Sequence, residues 1–98
     1  MNDNTLEKEV EQYLRRKVGN AGGRCLKFVS PGALGVPDRI VLLPGGRILF
    51  AELKRPKNGR ISGPQWYWQK ILTGLGFRFA FVSTRAEVDE LMEGLHEV

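Results

Sequence analysis

The sequence predicts a single α/β (α+β) domain spanning 1–98, with the order helix, three strands, helix, strand, helix. Three observations predict it. Apolar residues recur at helical spacing in three separate stretches. Between them lie short apolar or alternating runs of strand length. Glycine and proline clusters separate the stretches at nearly every junction.

The first helix is expected over about 5–18, where Leu6, Val10, Tyr13 and Leu14 share a face and Asn4 or Thr5 can cap. Gly19, Gly22 and Gly23 end it and lead into a strand over 24–29, in which Cys25, Lys27 and Val29 alternate with Leu26 and Phe28. Gly32, Gly35 and two prolines make 30–37 a loop whose backbone can approach its neighbours closely. A second strand is expected over 38–43, a turn at Pro44, Gly45 and Gly46, and a third strand over 47–54. After a basic loop over 55–63, Ser62, Gly63, Pro64 and Gln65 read as a capping box opening the second helix. Trp68, Ile71, Leu72 and Leu75 form its apolar face, and Gly76 stops it. Phe77, Phe79 and Phe81 alternate with Arg78, Ala80 and Val82 in a fourth strand. The last helix, capped at Ser83 or Thr84 with Glu87 in its first turn, carries Val88, Leu91, Met92 and Leu95.

Composition narrows the function classes. Hydrophobic residues make up 42% and charged residues 27% of the 98, which is the balance of a folded domain rather than a disordered one. A core this small makes dimerisation expected. Fifteen Lys and Arg against eleven Asp and Glu leave a charge of +4, compatible with a polyanionic partner. Cys25 is alone, the first ten residues are polar and acidic rather than signal-like, and no apolar run approaches the roughly 20 residues of a membrane span. A soluble protein of the cytoplasm, without membrane association, is the expectation.

The chemistry concentrates at Pro37-Asp38 and at Glu52-Leu53-Lys54. Period-two geometry puts Glu52 and Lys54 on one face of the third strand, with Leu53 pointing away. If the hairpin turn is centred on Gly45, Asp38 sits opposite Glu52; a two-residue Gly45-Gly46 turn offsets it by one position. In both cases the two carboxylates share one end of the hairpin. Like charges facing each other across a strand pair are destabilising, so a positive group is expected between them. A hard divalent cation takes one or two carboxylates plus waters, which this supply matches. Taken singly, Pro-Asp is an ordinary turn and Glu-x-Lys an ordinary surface ion pair. The otherwise apolar Ile48, Leu49, Phe50, Ala51 and Leu53 argue against that reading, because charges on a buried strand need a partner or a metal.

Gly35-Val36-Pro37-Asp38-Arg39, Phe50-Ala51-Glu52-Leu53-Lys54-Arg55-Pro56, the 62–65 segment and Leu75-Gly76-Phe77 together resemble the virus-type replication-repair nuclease (VRR-NUC) domain. This is a branch of the PD-(D/E)xK restriction-endonuclease-like superfamily. The match runs in the family's order from about Leu6 to Val82. It implies a restriction-endonuclease-like core: helix, three strands, helix, strand, then a C-terminal helix, with helices flanking a mixed sheet. Asp38 and Glu52 fall on the family's metal-binding acids, Lys54 on its lysine and Gln65 on its active-site glutamine. The family's acid in the first helix falls on Glu7 or Glu11, and the Leu-Glu-Lys at the helix start favours Glu7. The implied activity is Mg²⁺- or Mn²⁺-dependent cleavage of the P–O3′ bond of DNA, with Asp38, Glu52, the Leu53 carbonyl and Glu7 about the metal. A stand-alone domain of this kind resembles bacteriophage or prophage proteins of DNA replication and repair, acting in the host cytoplasm. Some members are homodimers that cut branched DNA such as four-way junctions. No organic cofactor is implied.

For DNA contact the candidates are Arg55, Lys57 and Arg60 in the basic loop, Lys27 on the first strand, and Trp66, the most exposed aromatic expected at the start of the second helix. Lys27 faces the phosphate side if Phe28 points to the other. For Gln65, the capping box and the active site compete for one side-chain amide. The alternative function is a non-catalytic nucleic-acid-binding module that keeps the nuclease fold.

Overall fold

The structure, a computed structural model, describes residues 3–54 and 60–96. Its elements are α1 (Asp3–Asn20), β1 (Arg24–Lys27), β2 (Arg39–Leu43), β3 (Arg47–Leu53), α2 (Gly63–Gly74), β4 (Arg78–Val82) and α3 (Arg85–His96). The strands form one sheet in the order β1-β2-β3-β4. The first three are antiparallel neighbours, and β4 runs parallel to β3 after the α2 crossover. The sheet is therefore mixed, with helices on both faces, as a restriction-endonuclease-like core requires.

Strand parity decides which layer each residue joins. Val41, Leu43, Leu49, Ala51, Leu53 and Val82 point to one face and are buried there. They pack with Val10, Leu14 and Val18 of α1 and Val88, Met92 and Leu95 of α3. The Tyr13 hydroxyl donates to Asp89 at 2.6 Å and ties α1 to α3. Alternate strand positions face the other way, where α2 lies against β4 and the Trp66 ring meets Phe81 edge-on at 5.3 Å between centroids.

The hairpin resolves the question of register. Leu43 pairs with Arg47 and Arg39 with Ala51, so paired numbers sum to 90 and the turn is centred on Gly45. Gly45 and Gly46 have φ of +84° and +73°, the left-handed region that a side chain would disfavour. Phe28 N–H donates to the Asp38 carbonyl at 2.8 Å, continuing the ladder one step past β1 and β2.

Several expected boundaries move. The first helix covers 3–20 rather than 5–18, and β1 stops at Lys27 rather than at Val29. The last strand begins at Arg78; Phe77 precedes it, with its ring edge-on to Phe50 at 5.3 Å. Leu75 does not join the buried face of α2, because the helix ends at Gly74 and the C-capping Leu75 is left 69% exposed. No helix among the described residues is long and apolar enough to cross a membrane.

Candidate active site

The hairpin opens at the end away from its turn, and there Asp38 and Glu52 face each other, as the register requires. Glu52 is only 7% exposed. Burial, then the Asp38 charge and a hydrogen bond to Asp38, push its pKa up to about 8, against the opposing pull of Lys54 and Gln65. At neutral pH Glu52 is thus largely protonated beside Asp38. Asp38 is anchored in turn: its Oδ1 accepts from Leu53 N–H at 3.3 Å, and its Oδ2 lies 3.7 Å from Arg39 Nη1.

Lys54 completes the group. Its Nζ donates to Gln65 Oε1 at 2.6 Å and to the Arg60 carbonyl at 2.7 Å. The same Gln65 oxygen accepts from Ser62 N–H at 2.9 Å, while Ser62 Oγ accepts from Gln65 N–H at 3.2 Å. Both partners of that oxygen are obligate donors, so the amide orientation is fixed and its nitrogen is the end that serves Glu52. The expected competition between capping and the site does not arise. One oxygen closes the capping box and holds Lys54, and the nitrogen remains for the carboxylate.

The other candidates divide. Glu11 forms an ion pair with Arg39 and lies 3.8 Å from Arg15. Glu7 sits one turn earlier on the same face of α1 and is half-buried. Among the described residues no three or more His, Cys, Asp or Glu gather into a metal-holding group. Lys27 is a correction. It pairs with Arg39, which pairs with Ala51, so it shares the α1 face, and Phe28 takes the Glu52 side. Arg60 is exposed beside Lys54. Arg55 and Lys57 lie outside the described residues. Trp66 is 49% exposed, and the neighbouring Tyr67 is more so at 61%.

Arg39 escaped the sequence reading. Its signal was present: an arginine at a position of β2 whose neighbours by parity, Val41 and Leu43, are core residues must bring an acid in with it.

The donor set fits a divalent cation. Two opposed carboxyls, one of them kept protonated by burial and by the charge of the other, are hard ligands that such an ion would take in exchange for the proton.

No family model matches the chain. A phage protein named "Putative nuclease p44", from Acyrthosiphon pisum secondary endosymbiont phage 1, is 52% identical over 50 residues. That match covers 51% of this chain and 54% of the relative, so the chain spans about half the relative's length. A solved structure described as "VRR_NUC domain" superposes with a TM-score of 0.84 at 30% identity, covering 90% of this chain and 95% of the other. With nearly the whole of both chains matched in fold and almost a third in sequence, the chain belongs to the virus-type replication-repair nuclease domain family.

Proposed function

We propose that the protein is a Mg²⁺- or Mn²⁺-dependent endodeoxyribonuclease that hydrolyses phosphodiester bonds, acting on branched DNA in phage or prophage replication and repair. The observation that carries this reading is the convergence of Asp38, Glu52, Lys54 and Gln65 at the open end of one hairpin. Asp38, Glu52 and the Leu53 carbonyl would hold the ion, with Glu7 contributing through water. A divalent ion bound there supplies Lewis-acid stabilisation of charge on the phosphate oxygens. Lys54, held by Gln65 and the Arg60 carbonyl, presents its ammonium to the reacting phosphate and neutralises charge developing in the transition state. Gln65 keeps Glu52 and Lys54 in fixed relation to each other. Water adds to phosphorus as the P–O3′ bond breaks, leaving a 5′-phosphate and a protonated 3′-oxygen. Arg60, together with Arg55 and Lys57, would hold the DNA backbone, and Trp66 and the neighbouring Tyr67 offer stacking surfaces beside the site. Lys27, on the opposite face, is outside this group. A homodimer would present two such sites for paired cuts on a symmetric junction.

The deciding experiment uses labelled four-way junction, flap, splayed-arm and linear duplex DNA with Mg²⁺, Mn²⁺ or EDTA. Metal-dependent cleavage that Asp38→Ala and Lys54→Ala abolish, strongest on branched substrates, is the expected result. Salt-sensitive binding of the same DNA without cleavage under any metal condition would overturn the enzyme reading in favour of a binding module.

A further inference from the structure

We propose that Arg39 is the positioning residue for the Asp38 carboxylate, and that Glu11 acts through Arg39 rather than as a metal ligand; this rests on the metal-dependent reading above. Arg39 is 8% exposed, so its guanidinium lies under α1 and not in solvent. Its donors are committed: Nη2 to the Glu11 carboxylate, and Nη1 to the Asp38 carbonyl at 2.8 Å, with Asp38 Oδ2 3.7 Å from the same nitrogen. A guanidinium this buried needs a counter-charge, and the α1 carboxylate supplies it. With that charge in place, the fork is fixed and its other arm defines where Asp38 stands.

Asp38 needs such a fixture. It faces a second carboxyl, and the spacing of the pair is set only if Asp38 is also held from its other side. Leu53 N–H tethers Oδ1, Arg39 stands beside Oδ2, and the Asp38 main chain is held from two sides, by Arg39 and by Phe28 N–H at 2.8 Å. The path runs from helix to strand to site: Glu11, Arg39, Asp38. The Glu11 carboxylate is turned toward the guanidinium of Arg39 by Oε2, with Oε1 3.8 Å from Arg15. Arginine suits this position better than lysine, because only a planar fork reaches two acceptors at a set angle.

The test measures Mn²⁺ affinity by calorimetry and, in metal-free protein, the NMR amide shift of Leu53, which reports whether Asp38 still accepts from it. Arg39→Met is expected to weaken Mn²⁺ binding by about tenfold or more and to move the Leu53 resonance. The direction is diagnostic, since removing a positive charge near a cation site would otherwise strengthen binding. Arg39→Lys should recover only part of the loss. Glu11→Gln, which keeps an acceptor for Arg39 but loses the counter-charge, should weaken binding clearly less than Glu11→Ala, while Glu11→Ala should follow Arg39→Met and the double variant should be no worse than either. Two results would overturn the proposal. One is Glu11→Gln weakening Mn²⁺ binding as much as Glu11→Ala and adding to Arg39→Met, which makes Glu11 a ligand. The other is Arg39→Met leaving both readouts unchanged. Should Arg39→Met not fold, Glu11→Gln against Glu11→Ala carries the same decision. If the wild type binds no Mn²⁺, the metal reading fails, and the Leu53 resonance in the metal-free variants still decides whether Arg39 positions Asp38.

Discussion

An ordinary glutamate titrates near 4.5, whereas burial and the facing Asp38 raise Glu52 to about 8. Between those values the folded protein binds a proton that the unfolded chain releases. The contribution of Glu52 to stability is therefore complete below about pH 4.5 and is lost as pH rises through about 8. In EDTA, the melting temperature should fall between pH 5 and about 8, and Glu52→Gln should flatten that slope. A scan of melting temperature against pH for the two proteins checks this; an unchanged slope in Glu52→Gln would show that another group is responsible. A divalent cation replaces the same proton, so Mn²⁺ affinity should rise with pH over this window, by up to about tenfold per unit. Lys54 makes a different prediction. Its ammonium is held by two acceptors, and its charge matters most once the phosphate gains charge. Lys54→Ala should lower kcat by about 10²–10³-fold while junction binding in a gel-shift assay changes only a few-fold. At this scale Asp38, Glu52 and Lys54 were legible because spacing and parity place them. For Arg39 only the burial was legible, from its parity with Val41 and Leu43; its partner Glu11 lies on a helix far from it in sequence.

Elements set these residues in place through their ends. The start of α2 is fixed twice, by the Ser62–Gln65 capping box and by the 31–37 loop lying against it. Gly35, at φ +87°, approaches Pro64 so closely that an added Cβ would lie 2.6 Å from the Pro64 carbonyl oxygen. Gly35→Ala meets both a left-handed backbone and a clash with backbone, so it should destabilise the fold by about 2 kcal/mol or more. It should also reduce cleavage beyond what stability explains, because the turn it displaces carries Gln65. Denaturant unfolding and turnover below the melting range separate the two effects. The start of α3 is a contrasting case. Glu87 Oε1 accepts from Ser83 and Thr84 N–H at 2.8 and 3.0 Å, and Thr84 Oγ1 accepts from Glu87 N–H at 3.1 Å. Glu87→Ala should cost about 1 kcal/mol with kcat unchanged. Both caps were legible, since each is a local pattern of a hydroxyl residue and an acid or amide three positions on. The ends of β1 and α2 were not. The alternation of Cys25, Lys27 and Val29 with Leu26 and Phe28 extends past Lys27, yet beyond the Phe28–Asp38 bond the strand pairing does not continue, and Leu75 keeps helical phase after its helix has stopped.

Across the whole molecule, charge and topology make the remaining claims. The excess of +4 should give DNA binding a steep dependence on salt, with affinity falling as ionic strength rises from about 50 to 200 mM. Fluorescence anisotropy with a labelled junction across that range checks it; a flat response would remove the backbone-contact role assigned to Arg60 and its loop. Element order and the partition into two faces were readable from periodicity alone. The resemblance implied a mixed sheet, but the parallel placement of β4 beside β3 was not legible, because a single helix between two strands fixes neither the neighbour nor the direction.

The Gly45-centred turn has a consequence at the opposite end of the sheet. In a hairpin, turn length is a phase setting, and each added or deleted residue slides one strand past the other. Asp38 and Glu52 meet only in the phase where paired numbers sum to 90. The exposed Pro44-Gly45-Gly46 tip, at the far end of the hairpin from Asp38 and Glu52, is thus where the spacing of the two carboxylates is set. Loop tips ordinarily absorb insertions. This one has as little freedom in length as a catalytic residue has in identity.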